Sequence, residues 1–136
     1  MNSKDVGDAT EAAVISRLIS AGYSVSIPFD DNDGYDLIVD DGTDLHRLQC
    51  KTAWWNKERT IRFNTHSQTT DDGEYRERTY RDEIDAFLVR HPDGDRFYWV
   101  DVGAATEGKM ELRHDAAIDH PSINWADEYE FDGTIP

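Results

Sequence analysis

The 136-residue chain carries 29 Asp and Glu against 14 Lys and Arg, a formal net charge of −15. That length suits one domain spanning residues 1–136 and is tight for two; the single cysteine, Cys50, excludes an intrachain disulfide. No apolar run is long enough to span a membrane and the N-terminus lacks a signal peptide's hydrophobic segment, so a soluble cytoplasmic protein is expected.

So acidic a balance can signal disorder. Here the apolar residues fall in periodic runs, such as residues 14–19 and 97–102, which argues against it. Lysine is confined to Lys4, Lys51, Lys57 and Lys109, and most of the acids are Asp. This reads as the halophilic surface of a protein from a high-salt, archaeal-type cytoplasm, where carboxylates hold water and salt screens their repulsion. The alternative is an acidic protein that binds a basic partner.

In chain order, residues 4–21 predict a helix: Val14, Ile15, Leu18 and Ile19 recur at helical spacing and Gly22 stands in the C-terminal stop position. Glu11 lies four residues before Ile15, at the edge of the apolar stripe. It is either an acid favoured by the helix dipole or a carboxylate aimed inward. Residues 23–28 alternate as a half-buried strand ending at Pro28, and residues 29–34 form an acidic loop.

Residues 35–52 read as a hairpin around the turn signal Asp41-Gly42. Arg47, Gln49 and Lys51 share one side of its second strand; Leu48 and Cys50 take the other. With Gly42-Thr43 as the loop, Asp36 would lie opposite Gln49. Residues 53–59 read as a polar connection, 60–64 as a strand, and 65–80 as irregular. Residues 82–85 suggest one helical turn, and 86–89 with 97–101 a strand pair across a Pro-Gly turn. A short helix (102–106), a strand (110–113), a docking helix within 115–132 and a fraying tail (133–136) complete the chain. The fold class is α/β or α+β, with helices flanking a central mixed sheet.

The hairpin carries the chemistry. Phosphodiester hydrolysis needs an activated water and neutralisation of phosphate charge, both of which Mg²⁺ provides. Mg²⁺ takes oxygen ligands and keeps several waters. Asp36 is the expected anionic ligand, joined by the Gln49 amide oxygen and the Cys50 backbone carbonyl. Lys51 would stand beside the phosphate, stabilising charge or helping deprotonate water. An inward Glu11 would add a further acid. Cys50 itself reads as core filler. Trp54 and Trp55 read as core or subunit contacts more readily than as base-stacking residues. His46, His66, His91, His114 and His120 lack metal-ligand spacing and read as surface or loop residues.

The ordered set Lys4, Gly7 and Glu11, then Gly22-Tyr23, Val25 and Pro28, then Tyr35-Asp36-Leu37 and Arg47-Leu48-Gln49-Cys50-Lys51-Thr52 resembles the PD-(D/E)xK nuclease superfamily. It is most similar to the branch related to group I intron-associated homing endonucleases. Asp85, Phe87 and Tyr98 extend the resemblance to about residue 102. It implies a restriction-endonuclease-like αβββαβ core and Mg²⁺-dependent (or Mn²⁺-dependent) cleavage of DNA by a dimer or tetramer. It also implies Asp36 as central metal ligand, Lys51 as catalytic lysine and Glu11 as supporting acid. Two departures stand out. Gln49 replaces the usual Asp or Glu, which this branch tolerates, and Tyr35 replaces the usual Pro. For DNA contact, the basic residues Arg47, Lys57, Arg59, Arg62, Arg76 and Arg78 concentrate in the middle of the chain. A nuclease-fold DNA-binding module and an acidic protein-interaction domain are the alternatives to an endonuclease.

Overall fold

A computed structural model describes residues 2–30, 34–71, 74–78, 82–115 and 119–136, with backbone only for 67–71 and 74–78. It contains one α-helix, α1 (Ser3–Ser20), and ten strands, β1 (Ser24–Ser26), β2 (Leu37–Asp40), β3 (Leu45–Thr52), β4 (Trp54–Lys57), β5 (Thr60–Asn64), β6 (Ser67–Asp71), β7 (Glu74–Arg78), β8 (Ala86–His91), β9 (Arg96–Asp101) and β10 (Lys109–Arg113), among the described residues. No helix among them is long and apolar enough to cross a membrane.

Local chemistry sets the helix ends. The Asn2 side chain accepts the Asp5 N–H at 2.9 Å, an N-cap. At the other end Gly22, at φ +95°, donates to Ile19 O and Tyr23 donates to Leu18 O. These paired bonds form a Schellman stop, whose left-handed residue favours glycine. Thr10, Val14 and Leu18 form the buried stripe, while Ile19 is exposed.

The central sheet has the order β1-β2-β3-β8-β9 and is antiparallel except for the parallel pair β3–β8. Side-chain alternation gives it two apolar faces. Leu37, Val39, Leu48, Ala86, Leu88, Phe97 and Trp99 cluster with Val14 and Leu18 of α1. Phe87, Val89, Tyr98 and Val100 cluster instead with Ile61, Phe63, Met110 and Leu112 of a second sheet, β10-β5-β4. The result is a mixed α+β fold with a helix on one face of a five-stranded sheet and a second sheet on the other.

Several local expectations change. Residues 54–57, expected as a polar connection, form β4, which pairs with β5 through a tight turn where Arg59 takes φ 67°. A glycine-free turn gave no signal for it. Residues 67–71 and 74–78, expected as irregular, pair as an antiparallel hairpin; their polar sequence carries no apolar alternation. Residues 82–85 make a turn and not a helical turn. The expected helix within 115–132 reduces to a 3-10 turn, Ala126–Glu128. The tail does not fray: Ile135 N–H donates to the Tyr23 hydroxyl at 3.1 Å, and Phe131 packs under Arg17 and Trp99. His91, expected at the surface, is buried against Trp55.

Leu48 is fully buried at the centre of the helix-facing cluster. Leu48→Ala should cost about 2–5 kcal/mol of unfolding free energy, read as a lower urea midpoint with an unchanged slope.

Candidate active site

The site is built on the far end of β3. The β2–β3 register pairs Leu37 with Leu48 and Asp40 with Leu45, the frame expected from a loop centred on Gly42-Thr43. Gly42 sits at φ +92°, and the Asp41 carboxylate accepts the Thr43 and Asp44 N–H groups. Asp36 lies one residue beyond the last pair. Its alignment differs from the expected one: its N–H donates to Leu48 O at 2.8 Å, so Asp36 and Leu37 both address Leu48. Its Oδ2 accepts the Cys50 N–H at 2.8 Å, the side chain standing in for a backbone acceptor. That bond clamps the carboxylate to the Gln49-Cys50-Lys51 segment.

Gly34, two residues before Asp36, has no room for a side chain. A Cβ there would fall 1.8 Å from Oε2 of Glu83. The entry of the hairpin is thus pressed onto the loop before β8.

Glu11 enters from α1. The neighbouring Thr10 hydroxyl meets the Thr52 hydroxyl at 2.7 Å, which ties the helix to the last residue of β3. Partial burial raises the Glu11 carboxyl above its ordinary range, and the nearby charges of Asp36 and Asp8 raise it further. Asp36 is also raised, by burial, although the Cys50 N–H and Lys51 pull it the other way. Burial lowers the Lys51 amine, opposed by Asp36. Glu11 and Lys51 each therefore sense the Asp36 carboxylate, and burial disfavours the charged form of all three groups.

Lys51 Nζ donates to His66 O at 3.3 Å, and the His66 ring donates through Nδ1 to Gly108 O at 2.7 Å. His66 thus positions the lysine through its backbone, a role with no sequence signature. Gln49 and Lys51 pair with Phe87 and Val89 of β8, whose side chains face the second sheet. Cys50 packs with the helix-facing cluster, and burial keeps its thiol well above its ordinary pKa and unreactive.

Outside this site the expected DNA-contacting residues are dispersed. Arg47 pairs with Asp85 at 3.5 Å, Arg59 with Asp115 at 3.7 Å, and Arg62 with Glu111. Lys57 is exposed at the end of β4. Arg76 and Arg78 lie on β7, in register with Thr69 and Ser67, and their side chains lie outside the described set. Trp54 and Trp55 are half-exposed; Trp55 donates from Nε1 to Asp93 at 2.7 Å and meets His91 edge-on. No group of three or more His, Cys, Asp or Glu side chains that could hold a metal gathers among the described residues. Any ion at the end of β3 would rest on two carboxylates, an amide and backbone oxygen.

A family model described as PD-(D/E)XK endonuclease matches residues 1–132. No curated protein sequence matches the chain. Among solved structures, a bacterial homing endonuclease, I-Ssp6803I, has a similar fold, with a TM-score of 0.79 at 21% identity over 96% of this chain and 89% of that one.

Asp36 retains more protons in the folded chain than in the unfolded one, between its ordinary pKa of 3.8 and its raised folded value. Stability of the metal-free protein therefore falls as pH rises through that window and stays lowered above it. Asp36→Asn keeps an acceptor for the Cys50 N–H and removes the charge. In EDTA at neutral pH it should melt a few degrees above wild type, and the gain should vanish below pH 3.8. Thermal melts across pH check this; equal melting at neutral pH would show that burial of this carboxylate costs nothing.

Proposed function

Because the chain belongs to the PD-(D/E)XK endonuclease family, we propose that it hydrolyses phosphodiester bonds of DNA in the cytoplasm, using Mg²⁺ or Mn²⁺, at the end of β3. The observation that carries this is the Asp36 carboxylate, clamped by the Cys50 N–H on the strand that carries Lys51, with Glu11 of α1 close enough to sense its charge. Burying two acids that repel is unfavourable unless a cation offsets them. The donors are hard oxygens, which suits Mg²⁺. Asp36, the Gln49 amide oxygen and the Cys50 carbonyl would hold the ion, with Glu11 completing the set. When bound, such an ion neutralises phosphate charge and lowers the pKa of water.

The chain's own residues divide the remaining work. The Cys50 N–H fixes one oxygen of Asp36 and leaves the other free of that bond. Lys51, with its amine lowered by burial and held by His66 O, would contact the scissile phosphate and help orient or deprotonate the attacking water. Cutting both strands requires two such sites, so a homo-oligomer, dimer or tetramer, would act on duplex DNA. Gln49 favours the second reading, a DNA-binding module of the same fold with little cleavage, because a neutral amide contributes one charge fewer to the ion.

Supercoiled plasmid incubated with Mg²⁺ in high KCl separates the two. Wild type should nick or linearise it, and EDTA should abolish the reaction. Asp36→Ala and Lys51→Ala should each slow it about 10²-fold or more. Equal nicking by wild type and variants, or none with any divalent ion, would leave only the binding reading.

A further inference from the structure

A cleft lies beside the site, on the outer face of the β10-β5-β4 sheet. Its volume is about 650 Å³, and Arg62, His66, Lys109, Glu111 and Arg113 are among its walls. The alternation of β10 explains the lining: Met110 and Leu112 are buried in the core, so Lys109, Glu111 and Arg113 project the other way. Arg62 lies across from Glu111 in register.

The charges in this cleft are unevenly matched. Glu111 is occupied: Arg62 donates to it through Nε and Nη2, and Asn56 donates at 2.9 Å. Arg62 holds that carboxyl below its ordinary range, with Lys57 and Arg113 adding to the effect. Arg113 is different. Its Nε is buried and has no hydrogen-bond partner among the described residues, while its backbone N–H is bonded to Asn124 O at 2.9 Å. A buried donor without an acceptor is unfavourable, and the guanidinium that carries it also lines the cleft, where a phosphate oxygen would pair with it in strong geometry. Three cations against Glu107 and Glu111 leave the cleft positive on a chain whose net charge is −15.

The position is as telling as the charge. His66 lines this cleft, and the same residue receives Lys51 Nζ on its carbonyl. The cleft and Lys51 thus share one residue.

We propose that this cleft is a second phosphate-binding site, which holds a backbone phosphodiester of bound DNA away from the one at Lys51. The proposal rests on the DNA-cleaving function above. Inorganic phosphate offers the same chemistry, so the test includes both.

The Arg113 Nε–H signal of ¹⁵N-labelled full-length protein, in EDTA, is followed during titration with a DNA duplex and separately with inorganic phosphate. Anisotropy of a labelled duplex across a KCl series is then measured for wild type, Arg113→Gln and Lys109→Gln. Lys109 is exposed, so its variant should fold unchanged; circular dichroism verifies both variants. The expected result is a shift of the Arg113 signal with duplex. Each variant should also bind about tenfold more weakly at fixed salt, with the slope of log K against log salt reduced by about 1. If wild type binds and both folded variants match its affinity and slope, this site is overturned while the proposed function stands. A signal that moves with inorganic phosphate and not with duplex overturns DNA as the occupant. If wild type binds no duplex at any salt, the DNA reading itself fails, and this site with it.

Discussion

The parallel pairing of β3 with β8 is the constraint on which the rest of the structure depends. An antiparallel neighbour can be reached by a tight turn, as β2 reaches β3. A parallel neighbour requires the chain to cross back over the sheet. Residues 53–85 make that crossing, and within them lie β4 to β7. Strands occupy the place where the family pattern implies a helix. The β4–β5 pair, joined by β10, then covers the face that Phe87, Val89, Tyr98 and Val100 would otherwise expose. With α1 on the opposite face, the middle of β3 is covered at Leu48, which is fully buried. The strand's final residues are half-buried where helix, hairpin entry and crossover meet.

That meeting point explains how a site arises there. Asp36 comes from the start of β2, Glu11 from the middle of α1, Lys51 from β3 and the carbonyl of His66 from just after β5. Each is held by a bond to a neighbouring element: Asp36 to the Cys50 N–H, α1 to Thr52 through Thr10, Lys51 to His66. None of these anchors relies on a surface ion pair, which solvent and salt weaken. In an acidic chain this matters, because most exposed charges repel one another. Among the described residues, Arg47, Arg59, Arg62 and Arg90 are each committed to a local acid.

The same energetics link stability to function. Placing two carboxylates and a lysine in a partly buried pocket shifts all three towards their neutral forms. The fold tolerates this because the surrounding core is densely apolar on both faces of the sheet. Removing the charge would relax the protein and remove the groups that would recognise a cation or phosphate, the familiar opposition between stability and activity.

Much of this was determined by the sequence alone. The α1 boundaries follow from apolar spacing and Gly22; the β2–β3 register follows from the Asp41-Gly42 turn; and Asp36, Gln49 and Lys51 are legible because strand alternation is local physics. The family was legible for the same reason, since its motif lies within one hairpin and one helix. Tertiary structure decided what local patterns cannot encode. Glu11 had two readings until α1 packed on β3 and brought it near Asp36. β4, β6 and β7 have polar or glycine-free sequences, and only their pairing partners make them strands. His66 accepts the Lys51 amine through a backbone carbonyl, which every residue possesses, and the burial of Arg113 Nε appears only in the packed chain. Sequence carries periodicity and side-chain type, whereas desolvation and long-range hydrogen bonding exist only once distant segments are packed together.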